Sequence, residues 1–365
     1  MPPKAKEPRK IPTTLAALDE AMTKRYGDRV ARRQDFVGYE TISTGSFALD
    51  MATRVGGWIE GRMHEIVGPP DSGKSTLAIN SMAEAQKKHP KKAVAYIDIE
   101  RTFDWDWAEA NGLNTDSRFF KKYFPDGSED VSDQIRLLCE TGLISMIVVD
   151  SVGGMESSRA MEKDAIEDDM RNAKIITRMV KATSMLAERH NVAVLFNNQP
   201  RSNVGGYGDA DISAGPKSFR HSTSIKVDMR RIGAGLKMGT GLDEEEVGVQ
   251  CRARITRSKV GPSGRAAEFW IMKEETKEYG PVGINRSDEC FQIGVFHGVI
   301  ERPSVGYYLL PTVANKIHGE GATKAYLRAH PDIAELVRQR SLATKADEVT
   351  LQSVVAYEPE NVEAS

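Results

Sequence analysis

Short apolar runs and longer amphipathic segments alternate along the chain. The apolar runs have the length and composition of buried strands, and they lie at Met63–Val67, Ala93–Ile99, Met146–Val149 and Val192–Phe196. Apolar residues at helical spacing predict helices between them, at Ser75–His89 and Ile175–Glu188. Strands that are apolar throughout and separated by helices favour a parallel sheet buried on both faces. The pattern therefore predicts an α/β fold with a central, mostly parallel sheet.

The second half of the chain has a different pattern. Three segments alternate in polarity with little helix between them, at Ser224–Arg230, Cys251–Arg257 and Ala267–Met272, so the sheet is predicted to continue with antiparallel strands. The acidic stretch Lys237–Gln250 is predicted to be a loop between two of them. Beyond Tyr279, short helical segments predict a small α+β module; they lie at Arg286–His297, Ala322–Ala329 and Ile333–Gln339.

Both ends of the chain differ from its centre. Leu15, Leu18, Met22 and Tyr26 recur at spacings of 3, 4 and 4 and mark one apolar helical face. From the pattern alone, this face packs either on the main domain or on another molecule. We predict four parts: an N-terminal arm (1–40) with this helix, a core (41–275), a small C-terminal α+β domain (276–345) and an acidic, flexible tail (346–365).

Charge and cysteine content exclude several classes of protein. Lys and Arg number 50 against 52 Asp and Glu, a net charge of −2, which excludes a polybasic nucleic-acid binder but not a local basic channel. Cys139, Cys251 and Cys290 are too few and too scattered for a disulfide framework or a zinc cluster. No apolar run approaches the roughly 20 residues that span a bilayer. We expect a soluble, cytoplasmic protein without a membrane partner.

A phosphate-binding loop is the most specific motif in the chain. A Gly, four variable residues and then Gly-Lys-Ser follow one predicted strand and precede a predicted helix. Glycine lets the backbone approach phosphates, the lysine reaches the β- and γ-phosphates, and the serine hydroxyl can ligate Mg²⁺. The sequence therefore predicts an ATP site made of Gly68, Pro69, Pro70, Asp71, Ser72, Gly73, Lys74, Ser75 and Thr76.

Carboxylates at strand ends are the natural companions of this loop. Asp150 ends an apolar strand and would meet the loop at the carboxyl edge of the sheet, where it could serve as a second magnesium ligand beside Ser75. Glu100 ends another strand and could orient or deprotonate water. Asp98 is its competitor, two residues earlier along the same strand.

Further motifs resemble those of the RecA recombinases, in the family's order and at nearly its spacing. They are Ile42-Ser43-Thr44-Gly45-Ser46, Ile97-Asp98-Ile99-Glu100, Val148-Val149-Asp150-Ser151-Val152, Phe196-Asn197-Asn198-Gln199-Pro200-Arg201 and Asp228-Met229-Arg230-Arg231-Ile232-Gly233. The resemblance runs from about Thr14 to Gln339. It implies a RecA-type P-loop ATPase core with an N-terminal helix arm that packs on the adjacent core.

The resemblance assigns roles to several side chains. It implies that Glu100 is the general base, that Trp107 stacks on adenine while Asp104 bonds the exocyclic amine, and that Gln199 senses the γ-phosphate. It further implies that cations reach the ATP of a neighbouring subunit across a filament interface. Those cations are Arg257, Lys259 and Arg220.

Two DNA-binding loops are implied as well, at about 156–171 and 200–215. The candidate contacts in the first are Met170, Arg171 and Lys174, and those in the second are Arg201, Ser202, Asn203, Val204, Gly205, Gly206, Tyr207 and Gly215. The first loop departs from the family pattern because it is acidic and lacks glycines. At the end of the second loop, Pro216 stands where the family usually has a glycine. The C-terminal module is expected to touch duplex DNA, with Lys316, Lys324 and Arg328 as candidates.

The leading hypothesis is a DNA-dependent ATPase that needs ATP and Mg²⁺ and self-associates into helical filaments on single-stranded DNA. It would pair that strand with homologous double-stranded DNA and exchange strands. One alternative is a RecA-core hexameric helicase. A second is a non-catalytic DNA-coating protein that keeps only nucleotide binding.

Overall fold

The computed structural model describes residues 13–26, 38–154, 165–202, 211–213, 217–239 and 244–344. The α-helices in these ranges are α1 (Leu15–Tyr26), α2 (Phe47–Thr53), α3 (Lys74–Lys88), α4 (Trp105–Ala110), α5 (Ser128–Glu140), α6 (Ala165–His190), α7 (Lys217–Ser222), α8 (Arg286–Phe296), α9 (Glu320–Ala329) and α10 (Pro331–Ala343).

The strands of the same ranges are β1 (Thr41–Ile42), β2 (Trp58–Ile59), β3 (Met63–Val67), β4 (Ala93–Asp98), β5 (Phe120–Tyr123), β6 (Ile144–Asp150), β7 (Ala193–Asn198), β8 (Pro200–Ser202), β9 (Asp211–Ser213), β10 (Ile225–Met238), β11 (Glu245–Ser258), β12 (Ala266–Met272), β13 (Gly283–Ile284), β14 (Glu301–Ser304), β15 (Tyr307–Leu309) and β16 (Ile317–His318).

A nine-stranded sheet forms the centre of the molecule, in the order β13-β12-β11-β10-β3-β7-β6-β4-β5. The strands from β10 to β5 run parallel, and β11, β12 and β13 add antiparallel strands beyond β10. The predicted mostly parallel sheet with an antiparallel extension is confirmed. The smaller sheets are β1-β2, β8-β9 and β14-β15-β16.

The middle strands are covered on both faces. All seven residues of β6 are buried. Met146 and Val148 belong to one apolar core cluster, which includes residues of α3, while Ile147 and Val149 belong to the opposite one, which includes residues of α5 and α6. Because successive side chains of a strand point to opposite faces, a strand between two helix layers must be apolar at every position.

The predicted loop at Lys237–Gln250 is wrong for most of its length. Strand β10 continues to Met238 and β11 begins at Glu245. The acidic side chains that suggested a loop are paired with cations, because Glu246 bridges Arg231 and Lys273, and Glu244 lies 2.7 Å from Lys237. Ion pairs between charged side chains thus stabilise these exposed ends of β10 and β11. An exposed charged strand has the same low hydrophobicity as a loop, so the sequence pattern did not distinguish the two.

Helix α6 begins earlier than predicted. Residues 165–171, which we placed in the first DNA loop, are helical, and residues 155–164 lie outside the described part. Glu167, Asp168 and Asp169 fall near the start of this helix. Negative residues complement the positive end of the helix dipole, so an acidic stretch there favours a helix over a loop.

Helix α1 belongs to a unit of its own, residues 1–39. Its apolar stripe is exposed, with Leu15 at 81%, Leu18 at 43% and Met22 at 41%. The stripe is therefore exposed on the described part of this unit, residues 13–26 and 38–39. No described helix has the length and apolar character needed to cross a bilayer.

The C-terminal part has a small apolar cluster of its own, centred on Phe291, Tyr308, Leu327 and Val337. One buried acid ties this part to the core. The carboxylate of Glu289 on α8 accepts hydrogen bonds from Ser46 Oγ and from the backbone N–H groups of Phe47 (3.1 Å) and Ala48 (3.3 Å) at the start of α2. The predicted boundary near residue 275 remains a prediction.

Glu289 should make folding stability depend on pH. Burial raises its pKa from the ordinary 4.5 to about 8, although the donors at α2 oppose the rise. Between these values the folded protein holds one proton more than the unfolded chain, so stability falls as pH rises. Burial also raises the pKa of Asp50, to about 6. Over about pH 6 to 8, comparison with a variant that lacks this carboxyl isolates the contribution of Glu289, because the pKa of buried His64, lowered to about 4, makes stability rise with pH in the lower part of this window in both proteins.

We expect the wild type to lose about 1–2 kcal/mol of unfolding free energy over that window beyond any loss in Glu289→Gln. Urea unfolding at pH 6, 7 and 8 measures both slopes. The test compares the slopes of unfolding free energy against pH and not the absolute stabilities. The variant is less stable at every pH, because its amide NH₂ faces the Phe47 N–H and two donors cannot form a hydrogen bond. Equal slopes in the two proteins would contradict the assignment.

Candidate nucleotide site

The predicted phosphate loop lies between β3 and α3, as its motif requires. A Cβ on Gly68 would lie 2.2 Å from the carbonyl oxygen of Met229, and one on Gly73 would lie 2.4 Å from Ile271 Cδ1. Gly73 also has φ 85° and precedes the first residue of α3. Packing against the backbone of β10 therefore requires a glycine at position 68, and the left-handed backbone conformation favours one at position 73.

Lys74 and Ser72 are turned toward the inside of the loop. The ammonium of Lys74 donates to the Pro69 carbonyl oxygen at 2.7 Å, and burial lowers its pKa, which the nearby carboxylates of Asp150, Glu100 and Asp71 oppose. Ser72 Oγ is buried without a hydrogen-bond partner among the described residues. A buried hydroxyl and a cation held only by its own loop are suited to an anion, and the residues present fit a nucleotide polyphosphate.

Asp150 joins three neighbouring elements at the carboxyl edge of the sheet. Its Oδ2 accepts hydrogen bonds from Ser75 Oγ (3.1 Å), Tyr96 OH (2.6 Å) and Asn197 Nδ2 (2.9 Å). Burial, followed by the charge of Asp150, raises the pKa of Tyr96 well above its ordinary value. The phenol therefore remains a hydrogen-bond donor at neutral pH.

Tyr96 and Asn197 received no role from the sequence. Tyr96 lies within an apolar strand, where a tyrosine is typical of the core, and Asn197 had no role assigned within its motif. The available signal was positional, since Tyr96 is two residues before Asp98 and Asn197 is at a strand end. Only the register of β4, β6 and β7 brings both to Asp150.

The oxygen donors at this point fit Mg²⁺. The Ser75 hydroxyl and the Asp150 carboxylate are hard oxygen ligands, and they already lie within hydrogen-bond distance of each other. No group of three or more His, Cys, Asp or Glu side chains in the described ranges could hold a metal. Mg²⁺ in nucleotide sites is held by one or two protein oxygens together with phosphates and water.

Glu100 and Gln199 meet beside Asp150. Glu100 Oε1 accepts from Gln199 Nε2 at 3.2 Å and from Ser151 Oγ, and both Glu100 and Gln199 are exposed. Its competitor Asp98 is buried in an ion pair with Lys122 (3.1 Å) and accepts from the N–H groups of Thr102 and Phe103. Asp98 is therefore occupied by the fold, whereas Glu100 faces the open edge of the site.

The base-binding candidates lie on α4. Trp107 is half-buried, and its indole N–H donates to Thr76 Oγ1 at 3.2 Å, one residue after Ser75. Asp104 is the N-cap of α4, where its side chain accepts from the Trp107 N–H at 3.0 Å. The structure thus brings Trp107 to the phosphate loop and gives Asp104 a capping contact that the sequence did not indicate.

Arg257 and Lys259 lie away from the phosphate loop of their own chain. In the register of the sheet, Arg257 on β11 lies opposite Lys226 on β10, and Lys226 lies opposite Glu65 on β3. Glu65 is three residues before Gly68, where the phosphate loop begins. Lys259 is farther back, where its ammonium donates to the Ser222 carbonyl at 3.2 Å. Burial and the charges of Arg257 and Arg62 lower the pKa of Lys259. Arg220 lies on α7, and its side chain is outside the described part.

Few of the predicted DNA contacts can be placed. Met170, Arg171 and Lys174 lie on α6, and Lys174 is exposed. Arg201 and Ser202 lie on β8, which pairs with β9. The side chains of Met170, Arg171, Arg201 and Ser202 are outside the described part, as are Asn203, Val204, Gly205, Gly206, Tyr207 and Gly215.

Two duplex-DNA candidates of the C-terminal part are already engaged. Lys324 is paired with Asp288 (2.5 Å) and with Glu320, and Arg328 donates to Ser287 Oγ and the Glu278 carbonyl, each at 3.2 Å. Lys316 is exposed. Of the three candidates, Lys316 is the best placed to meet phosphate.

Comparison with known proteins gives consistent matches. The family model described as RecA N-terminal domain matches residues 10–277. The Protein RecA of Nitratiruptor sp. is 33% identical over 299 residues, which cover 81% of this chain and 82% of that protein. The Protein RecA of Colwellia psychrerythraea is 32% identical over 323 residues, 87% of this chain and 86% of that protein. That of Wolinella succinogenes is 30% identical over 365 residues, 97% of each chain.

Gly68→Ala should damage the phosphate loop selectively. The new Cβ would overlap the Met229 carbonyl, so the loop must shift, and we expect at least a tenfold loss of ATP affinity with roughly 1–3 kcal/mol of destabilisation. Titration with a fluorescent ATP analogue and thermal unfolding measure the two effects. Gly321→Ala on α9 is the matched control, because a Cβ there meets nothing within 4 Å. Equal affinities for the two variants would contradict the close approach at Gly68.

Proposed function

Because the chain belongs to the RecA family, we propose that it is an ATP-dependent recombinase that polymerises on single-stranded DNA, pairs it with homologous duplex and exchanges strands. ATP and Mg²⁺ are its proposed substrate and cofactor, and DNA stimulates the hydrolysis. The observation that carries the proposal is the contact between Glu100 and Gln199 beside the Ser75–Asp150 pair. It places a carboxylate suited to activating water next to an amide suited to reading a terminal phosphate.

The chain's own residues divide the work of hydrolysis. Backbone N–H groups of the loop and the Lys74 ammonium hold the phosphates, and the Trp107 ring covers the base while Thr76 orients its indole. The Glu100 carboxylate orients a water and takes its proton. The Gln199 amide, which donates to Glu100 here, would turn its N–H toward the terminal phosphate when ATP is bound.

Bound Mg²⁺ would neutralise charge on the β- and γ-phosphates, with Ser75 and Asp150 as its protein ligands. Tyr96 and Asn197 hold the Asp150 carboxylate in place through its Oδ2, which leaves Oδ1 available. A carboxylate held by donors from two strands keeps its direction. That is the requirement for a ligand that must not rearrange during turnover.

The separation of Arg257 and Lys259 from their own loop supports a site completed by a second copy. Their proposed role is to reach the ATP of a neighbouring subunit and stabilise charge that develops on the leaving phosphates. Burial and the charge of Arg257 lower the pKa of Lys259, and a polyanion brought to this surface would relieve the repulsion between the two cations. Hydrolysis would then depend on assembly.

The exposed stripe of α1 supports the same assembly. Leu15, Leu18 and Met22 form an apolar face that a helix does not leave in water without a partner. Two helices of the core domain, α5 and α6, pack on each other and also carry exposed apolar side chains. Leu137 on α5 is 66% exposed, and Met185 on α6 is 62% exposed. We propose that α1 of one copy covers this surface on the next.

A joint-molecule assay tests the function itself. We expect the protein, with ATP, Mg²⁺ and single-stranded DNA, to form joint molecules with homologous duplex and none with heterologous duplex. Electron microscopy with a nonhydrolysable ATP analogue should show open helical filaments. Closed six-membered rings would support the helicase alternative, and DNA coating without hydrolysis would support the non-catalytic one.

Mixing two inactive variants tests completion of the site in trans. Glu100→Gln and Arg257→Ala should each lower DNA-stimulated hydrolysis by about 100-fold or more. In an equal mixture, sites that combine Glu100 of one variant with Arg257 of the other regain both groups. We expect about a quarter of the wild-type rate, because random assembly gives that share of complete sites.

Glu274→Gln, at an exposed carboxylate of the loop after β12, serves as the control and should retain the wild-type rate. A mixture no faster than its separate components would overturn the assignment of Arg257 to a neighbour's site. It would leave the recombinase proposal to the joint-molecule assay.

A further inference from the structure

Two consecutive asparagines end β7, and they serve opposite sides of the strand. Both are fully buried. Asn197 donates to Asp150 on β6, as described above, whereas Asn198 Nδ2 donates to Glu65 Oε1 on β3 at 2.8 Å. Strand β7 lies between β6 and β3 in the sheet, so each asparagine reaches one of its two neighbours. The sequence indicated no individual function for Asn198 or Glu65.

Asn198 is the point at which the phosphate loop meets the segment of Gln199. Its backbone carbonyl accepts from the N–H of Gly68, the first residue of the loop, at 3.3 Å. Its side-chain Oδ1 accepts from the backbone N–H of Gln199 at 2.9 Å. One residue thus holds the start of the loop with its main chain and the start of the Gln199 segment with its side chain.

Glu65 and the Gln199 backbone determine the orientation of the Asn198 amide. A carboxylate can only accept hydrogen bonds, so the Asn198 NH₂ must face Glu65, and a backbone N–H can only donate, so Oδ1 must face Gln199. The Lys226 ammonium lies 3.9 Å from Glu65 Oε2 and supplies a counter-charge for the buried carboxylate. The fold itself therefore supplies the acceptor that orients the Asn198 amide.

The hydrogen bond from the Gln199 N–H to Asn198 Oδ1 determines the position from which the Gln199 side chain extends. Gln199 is exposed, and the end of its side chain donates a hydrogen bond to Glu100 at 3.2 Å. An exposed glutamine has several rotatable bonds, so its reach depends on the position of its Cα. The Asn198 bond fixes the backbone immediately before that Cα, at the end of a strand where the sheet no longer does so.

We propose that Asn198, oriented by Glu65, is a positioning residue that holds Gln199 in reach of Glu100. This inference rests on the proposed ATPase function and specifies a control on its chemical step. Loss of the pair should lower the rate of hydrolysis and leave nucleotide binding by the phosphate loop nearly unchanged. A misplacement of about 1 Å near reacting groups can cost roughly 100-fold in rate.

An exchange of the two side chains provides the test. Asn198→Asp removes the donor and sets two carboxylates against each other, so we expect DNA-stimulated kcat to fall by about 10- to 100-fold. The double variant Glu65→Gln with Asn198→Asp reverses the bond, because an amide on β3 then donates to a carboxylate on β7. The second carboxylate oxygen can still accept from the Gln199 N–H, and the net charge is that of the wild type.

We expect the double variant to recover kcat to within about fivefold of the wild type, with ATP affinity within about threefold in every variant. Asn191→Asp is the matched control, because it also replaces an asparagine that donates to a buried glutamate. The distance from Asn191 Nδ2 to the Glu60 carboxylate is 3.2 Å, and this pair lies outside the phosphate loop. It should retain the wild-type kcat. Should Asn198→Asp fail to fold, Asn198→Ala removes both bonds without a new charge and carries the same expectation for kcat.

Three results would overturn the inference while the wild type shows DNA-stimulated hydrolysis. One is a wild-type kcat in Asn198→Asp or Asn198→Ala. Another is a double variant whose thermal stability recovers while its kcat does not, which would show a purely structural bond. The third is a loss in ATP affinity as large as the loss in kcat. Absence of DNA-stimulated hydrolysis in the wild type would instead refute the proposed function, and the inference with it.

Discussion

The buried carboxylate of Asp150 organises the edge of the sheet where the nucleotide site lies. One oxygen accepts from Ser75 of the phosphate-loop motif, from Tyr96 on β4 and from Asn197 on β7. A carboxylate removed from water without such partners would cost several kcal/mol. Because the donors come from three separate elements, the sheet must have its observed strand order before the site exists. Fold and site are specified by the same hydrogen bonds.

Other buried acids follow the same principle at other junctions. Asp98 fastens the segment after β4 through two backbone N–H groups and Lys122, and Glu289 fastens the C-terminal part to α2. Glu65 orients Asn198 at the start of the phosphate loop. Each carboxylate accepts from donors of another segment, so each acts as a fixed acceptor around which neighbouring backbone is ordered. These carboxyl groups lie inside the fold, away from the surface that a polyanion would meet.

A net charge of −2 therefore describes the molecule poorly. Much of the acidic charge is buried or paired, as on the ribbon of β10 and β11, where Glu244 and Glu246 meet Lys237, Arg231 and Lys273. Arg257 and Lys259 lie away from the phosphate loop of their own chain. In the proposed filament, this division makes one copy's catalytic edge dependent on the cationic strand of another, and the exposed stripe of α1 supplies the contact that holds the copies together.

The sequence by itself determined the class of the fold, the phosphate loop and the strand-end carboxylates. These are local features, because a buried parallel strand must be apolar throughout and a phosphate loop needs its glycines at set spacing. Tertiary structure alone decided which groups meet them. Tyr96 and Asn197 reach Asp150, and Asn198 reaches Glu65, through the register of strands far apart in the chain, which no local pattern encodes. Tertiary structure also decided two segments whose polarity had suggested loops. Residues 165–171 are helical, where acidic side chains complement the helix dipole, and Lys237–Gln250 is mostly strand, where cross-strand ion pairs stabilise the ribbon.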